Sequence, residues 1–207
     1  MKKLSIEKVG CFSKDIDIDL LKSKAKDNKA TLNDLLMAVI GLSLKQYAKK
    51  AFNDNKLSQL TCTMPFSLRT PPKHPSDFKF HNNFSMIPID MPIEETYEKA
   101  LASAKRITKS WKTSPIPFAL VYFVRGLLLL PLFAINFLLC DWADRMTFTF
   151  SNVPGPRKHY IVNGKKAKSM GFLVPALKSL MGGISIISYV DRIKIGIISD
   201  KGCIPVP

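Results

Sequence analysis

The chain has 207 residues, 46% apolar and 23% charged, which fits a globular protein with a real core and excludes wholesale disorder. Its net charge of +15 suits anionic partners such as nucleic acid, acidic lipid headgroups or a cofactor's phosphates. Cys11, Cys62, Cys140 and Cys203 lie far apart with no metal spacing, so buried thiols in a reduced compartment and no metal are expected. The lysines near Met1 precede no apolar run of the kind a secretory signal needs.

Residues 4–12 have β character, and a short capped helix should follow Asp15. Leu32, Leu35, Leu36, Val39, Ile40 and Tyr47 then recur at helical spacing. Thr31 is a good N-cap, and Asp34 three residues on completes a capping-box pattern. Residues 60–68 read as a strand, 70–76 as a proline-rich loop, and 83–90 as a second strand whose Pro88 marks an edge or bulge. A basic amphipathic helix is expected over 94–111.

The most apolar stretch, 116–140, is long enough to cross a bilayer if straight. Arg125, Pro131 and Asn136 interrupt it, so two helices, buried or lying in a membrane interface, are expected; a single transmembrane helix is the other reading. Trp111 and Trp142 flank it, as interfacial or core aromatics would. Strands are expected over 146–152, 160–162, 170–174, 183–189 and 192–198, the last two joined by a hairpin at Val190-Asp191. The order of elements indicates a mixed α/β, or α+β, architecture.

Four segments in sequence carry a resemblance. They are Ala30-Thr-Leu-Asn-Asp-Leu-Leu-Met-Ala38; Met64-Pro-Phe-Ser-Leu-Arg69 with Asn82-Asn83-Phe84; Phe150-Ser-Asn-Val-Pro-Gly-Pro156; and Phe172-Leu-Val-Pro175 with Gly182-Gly183-Ile184-Ser-Ile-Ile-Ser-Tyr189 and Ile195-Gly-Ile-Ile-Ser-Asp200. Together they resemble the C-terminal half of the wax ester synthase/diacylglycerol acyltransferases. The resemblance implies that residues 1–207 form one lobe of a CoA-dependent acyltransferase (chloramphenicol acetyltransferase-like) fold, a mixed sheet flanked by helices. It implies fatty acyl transfer from acyl-CoA, a cosubstrate rather than a permanently bound cofactor, to diacylglycerol or a long-chain alcohol. Such a protein would be membrane-associated, on the cytosolic face or at a lipid-droplet surface (at the endoplasmic reticulum if eukaryotic).

The family's general base is the second histidine of His-His-x-x-x-Asp-Gly, and this chain has only His74, His81 and His159, none in that setting. An alcohol attacking a thioester needs a base within hydrogen-bond reach and donors for the oxyanion. A separate N-terminal lobe is therefore expected to bring the base, and no catalytic residue is assigned in this chain. Asn33 and Asp34 are candidates for supporting the site, Asn33 first because an amide both donates and accepts, although capping explains Asp34 as well.

Ser151, Asn152, Pro154 and Gly155 form a rigid strand end, read either as a plain turn or as a stiff loop beside the acyl-CoA tunnel. Arg69, Arg157 and Lys158 are candidates for phosphate contacts. The denser basic groups, Lys99 to Lys112 and Arg157 to Lys168, are equally read as solvated surface. The alternative function is a non-catalytic acyl-CoA- or lipid-binding lobe that pairs with another chain. Nucleic acid is not an expected partner, since no reader motif is present.

Overall fold

The computed structural model describes residues 4–5, 7–69, 74, 77, 83–127, 129–175 and 180–204, of which 124 and 139–144 are described in their backbone alone. The elements are β1 (Lys8–Phe12), β2 (Ile16–Asp17), α1 (Ile18–Asp27), α2 (Leu32–Phe52), β3 (Thr61–Ser67), β4 (Phe84–Asp90) and α3 (Tyr97–Thr113). They continue with α4 (Ile116–Leu127), α5 (Leu132–Asp144), β5 (Phe148–Val153), β6 (Ile161–Val162), β7 (Lys165–Lys166), β8 (Gly182–Tyr189) and β9 (Arg192–Asp200).

One mixed sheet runs β1-β9-β8-β5-β3-β4, with β2 also on β9. β5 is parallel to both β3 and β8, and the other ladders are antiparallel. Among the described residues β4 is one of the sheet's edge strands, as Pro88 indicated: a residue without N–H fits where one side of the strand lacks a neighbour.

Side chains alternate across the sheet. Cys62, Ile87, Ile89, Phe148, Phe150, Ile184 and Ile186 face α2 and α3 and pack with Leu36, Met37, Ile40, Ala100 and Ala104 in the core. Small residues on α3 let that helix sit close to α2. Met37 belongs to this core, and Tyr47 packs edge-on against Phe52. Val39, expected on the buried stripe, is exposed.

The opposite face carries Thr63, Thr149, Ser151 and Ser185, all buried. Part of this face is crossed by residues 171–174, expected as a strand. They form none because they run over the strands instead of alongside them. Leu173 lies over Gly10 and Val174 over Gly183. The Phe172 carbonyl, with no ladder partner, accepts from the Ser185 hydroxyl. The Thr63 hydroxyl has no partner among the described residues. A buried orphan hydroxyl costs more than an isosteric methyl. Thr63→Val should therefore raise stability by about 1 kcal/mol, read as a melting temperature higher by about 2–4 °C.

Other boundaries moved for local reasons. The first strand begins at Lys8, not at residue 4. α1 is capped by Asp17, whose carboxylate accepts from the Asp19 and Leu20 amides. The basic helix starts at Tyr97, where Thr96 supplies the cap. The apolar stretch forms two helices broken before Pro131, and no helix among the described residues is long and apolar enough to cross a membrane. Trp111 is half-buried against the core, while the Trp142 side chain, most of the 70–76 loop, His81 and Asn82 fall outside the described set. Cys62 and Cys203 are buried as expected, whereas Cys11 is exposed. Burial pushes the Cys62 thiol up to about 12, which leaves it unreactive.

Ser5 and Lys8 on one side and Gly202 on the other are tied to one buried carboxylate. Asp200 accepts from the Ser5 and Gly202 amides and pairs with Lys8 at 2.6 Å. Burial would raise its pKa, but Lys8 and the two amides outweigh that and hold the carboxyl well below its ordinary range.

Candidate functional site

The parallel strands β3, β5 and β8 all end on one edge of the sheet, and their carboxyl ends carry most of the candidate residues. In open sheets with parallel strands, this is the edge at which ligands bind. Arg69 follows β3 by two residues, and its amide donates to the Ser67 hydroxyl at 3.4 Å. Asn152 is the penultimate residue of β5.

The N-terminus of α2 is brought to this edge. The Asn152 side-chain amide donates to the Asn33 side-chain carbonyl at 3.1 Å, across 119 residues of sequence. The Asn33 amide in turn points along α2 to the Met37 sulfur, at 3.9 Å. Two candidates from separate segments thus form one amide pair, half-buried at the sheet edge. An amide pair can present a donor and an acceptor together to a reacting group without carrying charge.

Asp34 sits beside the pair but points inward and is 4% exposed. One carboxylate oxygen accepts the Thr31 amide at 2.8 Å, closing the capping box. The other accepts the Thr108 hydroxyl of α3. Burial raises its pKa, but the bonds from Thr108 and Thr31 and the charge of Lys112 together bring it below the ordinary value. Both oxygens are engaged, so Asp34 holds the start of α2 against α3 and thereby positions Asn33. Thr108 was not singled out from the sequence. The signal for it is a hydroxyl on the buried face of α3, in line with Ala100, Leu101 and Ala104.

Ser151 and Asn152 occupy opposite faces of the sheet, as adjacent strand residues must. Asn152 joins Asn33 on the helix face, and Ser151 is buried on the other, paired in register with Ser185. β5 stops at Val153 because Pro154 has no N–H for the ladder. The chain then crosses directly over β8. The Gly155 amide donates to the Ser188 hydroxyl at 2.9 Å, and a Cβ on residue 155 would fall well inside contact distance of the Ser188 carbonyl oxygen. One residue on, the Pro156 carbonyl accepts from the Val190 amide at 2.9 Å. Val190 has φ 56°, a left-handed conformation that costs a β-branched residue. The loop therefore clasps a strained hairpin turn, and this clasp fixes where Asn152 ends β5.

Beyond the clasp, Arg157 and Lys158 are exposed, and β6 and β7 form a small separate hairpin. Its base is held by Tyr189, whose hydroxyl accepts the Tyr160 amide and donates to the Ala167 carbonyl, each at 3.0 Å. Ile161 and Val162 are exposed next to Lys165 and Lys166. Ser188 and Tyr189, which organise this region, were not picked out individually from the sequence, where they read as strand residues.

This frame has counterparts in known proteins. The family described as the WS/DGAT C-terminal domain matches residues 81–207. The chain belongs to the WS/DGAT family. It is similar to the O-acyltransferase WSD of Acinetobacter baylyi, with 26% identity over 208 residues, covering 93% of this chain and 42% of the relative. Its fold matches that of the wax ester synthase/diacylglycerol acyltransferase of Marinobacter aquaeolei VT8, with a TM-score of 0.65 and 16% identity, over 99% of this chain and 46% of that one. A nonribosomal peptide synthetase, FmoA3, matches with a TM-score of 0.61 and 14% identity, over 97% of this chain and 20% of its own. The WS/DGAT chain thus has the mixed-sheet fold expected for a CoA-dependent acyltransferase lobe, and it spans less than half the length of these relatives.

Proposed function

We infer that residues 1–207 are one lobe of an acyl-CoA-dependent O-acyltransferase, working against a second lobe that carries the His-His-x-x-x-Asp-Gly base. The reaction moves a fatty acyl group from acyl-CoA to diacylglycerol or a long-chain alcohol. The observation that carries this reading is the Asn33–Asn152 pair, held at the carboxyl edge of the parallel strands by a cap on one side and a clasp on the other. The pair would line the tunnel wall and orient the acceptor hydroxyl or the thioester carbonyl. Arg69, Arg157 and Lys158, near the same strand ends, would meet CoA phosphates. Ser151, buried on the far face, and Gly155, used by the clasp, serve the loop's rigidity.

The test is an assay with labelled long-chain acyl-CoA, offering diacylglycerol and a long-chain alcohol in parallel. It is run on this lobe alone and on a form joined to a lobe bearing the histidine motif. Turnover is expected only in the joined form. There, Asn152→Ala should lower kcat/KM by about tenfold or more, because a misplaced positioning group costs rate even when the chemistry is intact. Its melting temperature should change little, since the pair is half-buried. Transfer by residues 1–207 alone would overturn the reading. Acyl-CoA binding without turnover in the joined form would favour a binding lobe that does not catalyse.

A further inference from the structure

The β6–β7 hairpin stands apart from the main sheet, and none of its described residues belongs to the core. A hairpin of this size is not stable by itself. It is nevertheless held in one shape. Asn163 and Gly164 both have positive φ, at 49° and 74°, as a tight two-residue turn requires. At the base, the Tyr189 hydroxyl bonds both Tyr160 and Ala167, and the Ala167 amide donates to the Tyr160 carbonyl at 2.9 Å. The Tyr189 ring is 3% exposed and carries two outer rings. His159 meets it edge-on with centroids 5.8 Å apart, and Tyr160 lies beside it at 6.5 Å. Both outer rings are exposed. A buried ring and its hydrogen bonds thus fix a surface element that shields nothing.

The surface so fixed is aromatic and cationic. Arg157, Lys158, Lys165, Lys166 and Lys168 are exposed around the rings, and none of them is in an ion pair among the described residues. The sequence from Arg145 to Val190 contains no carboxylate. Asp15 and Asp191 approach from elsewhere, but each has its own cation: Asp15 pairs with Lys194 at 2.9 Å, and Asp191 with Arg192 at 3.5 Å. In register, Ile161 stands opposite Lys166 and Val162 opposite Lys165, so apolar and ammonium groups alternate beside the rings.

Exposed rings bordered by unpaired cations match a planar base that carries phosphates. The base stacks, and the phosphates take the ammonium and guanidinium donors. At two residues a strand, the hairpin is too short to track a run of bases, and it takes one nucleotide. Its position relates it to the amide pair. The hairpin base and the clasp both sit at the carboxyl end of β8, the neighbour of β5. Arg157 follows Asn152 by five residues, which span at most about 18 Å. An extended pantetheine arm bridges such a distance.

We propose that the β6–β7 hairpin binds a phosphorylated adenine nucleotide, with Tyr160 stacking on the base and Arg157, Lys165 and Lys166 holding phosphates. The source of that nucleotide rests on the acyl-transfer reading: it is the nucleotide end of acyl-CoA, which then lies across the sheet edge from the hairpin to the amide pair.

The experiment is calorimetric titration of residues 1–207 with 3′-phosphoadenosine 5′-phosphate, with CoA and with inorganic phosphate. The nucleotide and CoA should both bind, and inorganic phosphate should bind at least about tenfold more weakly because it has no base to stack. Tyr160→Ala should weaken both by about tenfold, and Tyr160→Phe, which keeps the ring, should not. Lys165→Glu with Lys166→Glu should weaken both by about tenfold or more. Melting temperatures should change little, since these side chains are exposed. In the joined enzyme the same losses should appear as a higher KM for acyl-CoA with kcat kept. No binding of either nucleotide, equally tight binding of inorganic phosphate, or no loss in Tyr160→Ala would each overturn the proposal. So would a single-stranded oligonucleotide that binds more tightly than CoA and is released by the same substitutions. A joined form that binds nucleotide without acyl transfer would count against the acyl-transfer reading and leave the site standing. An active joined form whose KM ignores these substitutions would remove acyl-CoA as the source.

Discussion

Replacing Gly155 with alanine is expected to cost about 2–3 kcal/mol and lower the melting temperature by about 5–10 °C. The new Cβ would collide with the Ser188 carbonyl oxygen, which is fixed in the central ladder of β8 and cannot retreat. The loop must lift instead. Lifting it breaks the bond from the Gly155 amide to Ser188 and the bond from the Val190 amide to Pro156. The second loss also frees the left-handed turn at Val190, whose relaxation returns part of the cost of the clash and the two lost hydrogen bonds. Two controls separate this mechanism from a general intolerance of change. Ser188→Ala removes one hydrogen bond and should cost only about 1 kcal/mol. Gly164→Ala meets no atom within 4 Å and pays only for its φ of 74°, again about 1 kcal/mol. Equal losses in all three variants would show that close approach is not what demands glycine at position 155.

The contrast between the two ends of the site explains what could be read from the sequence. The cap at Thr31 and Asp34 was legible because both partners lie within one turn of helix, where spacing alone sets the geometry. Pro131 broke the apolar stretch and Pro88 marked an edge for equally local reasons. The Asn33–Asn152 bond spans 119 residues, and no local pattern specifies it. The demand for glycine at 155 comes from a carbonyl 33 positions later, and the family motif held that glycine without giving the reason. Met170 to Val174 misled because an extended segment laid across strands shows the same alternation as a strand within the sheet. β2 and β7 are two residues each and carry charged side chains, Asp17 in one and Lys165 with Lys166 in the other, whereas β6, no longer, is marked by the apolar pair Ile161-Val162.

Asp34→Ala should destabilise the lobe by about 3 kcal/mol, read in a urea or thermal transition. Loss of the capping box accounts for about 1–2 kcal/mol, and the Thr108 hydroxyl, left buried and unpaired, accounts for about 1–3 kcal/mol. Asp34→Asn keeps an acceptor for one of the two partners and should cost less. The two forms should also differ in their response to acid. The folded pKa of Asp34 lies below the unfolded value of about 4. Its charge therefore adds stability that is fully present above about pH 4–5 and is lost as pH falls through the folded pKa. Wild-type and Asp34→Asn unfolding free energies should be furthest apart at pH 6 and draw together as pH falls below about 4. Parallel curves over that range would mean that the pKa of Asp34 is the same folded and unfolded, so that its charge adds no net stability to the cap. Because Asp34 faces inward, its effect on acyl transfer must pass through Asn33. In the joined enzyme, Thr108→Val, which removes one tie to Asp34 and spares the amide pair, should lower kcat/KM less than Asn33→Ala. If Thr108→Val matched it, the cap–helix contact rather than the amide would be the group that orients the substrate.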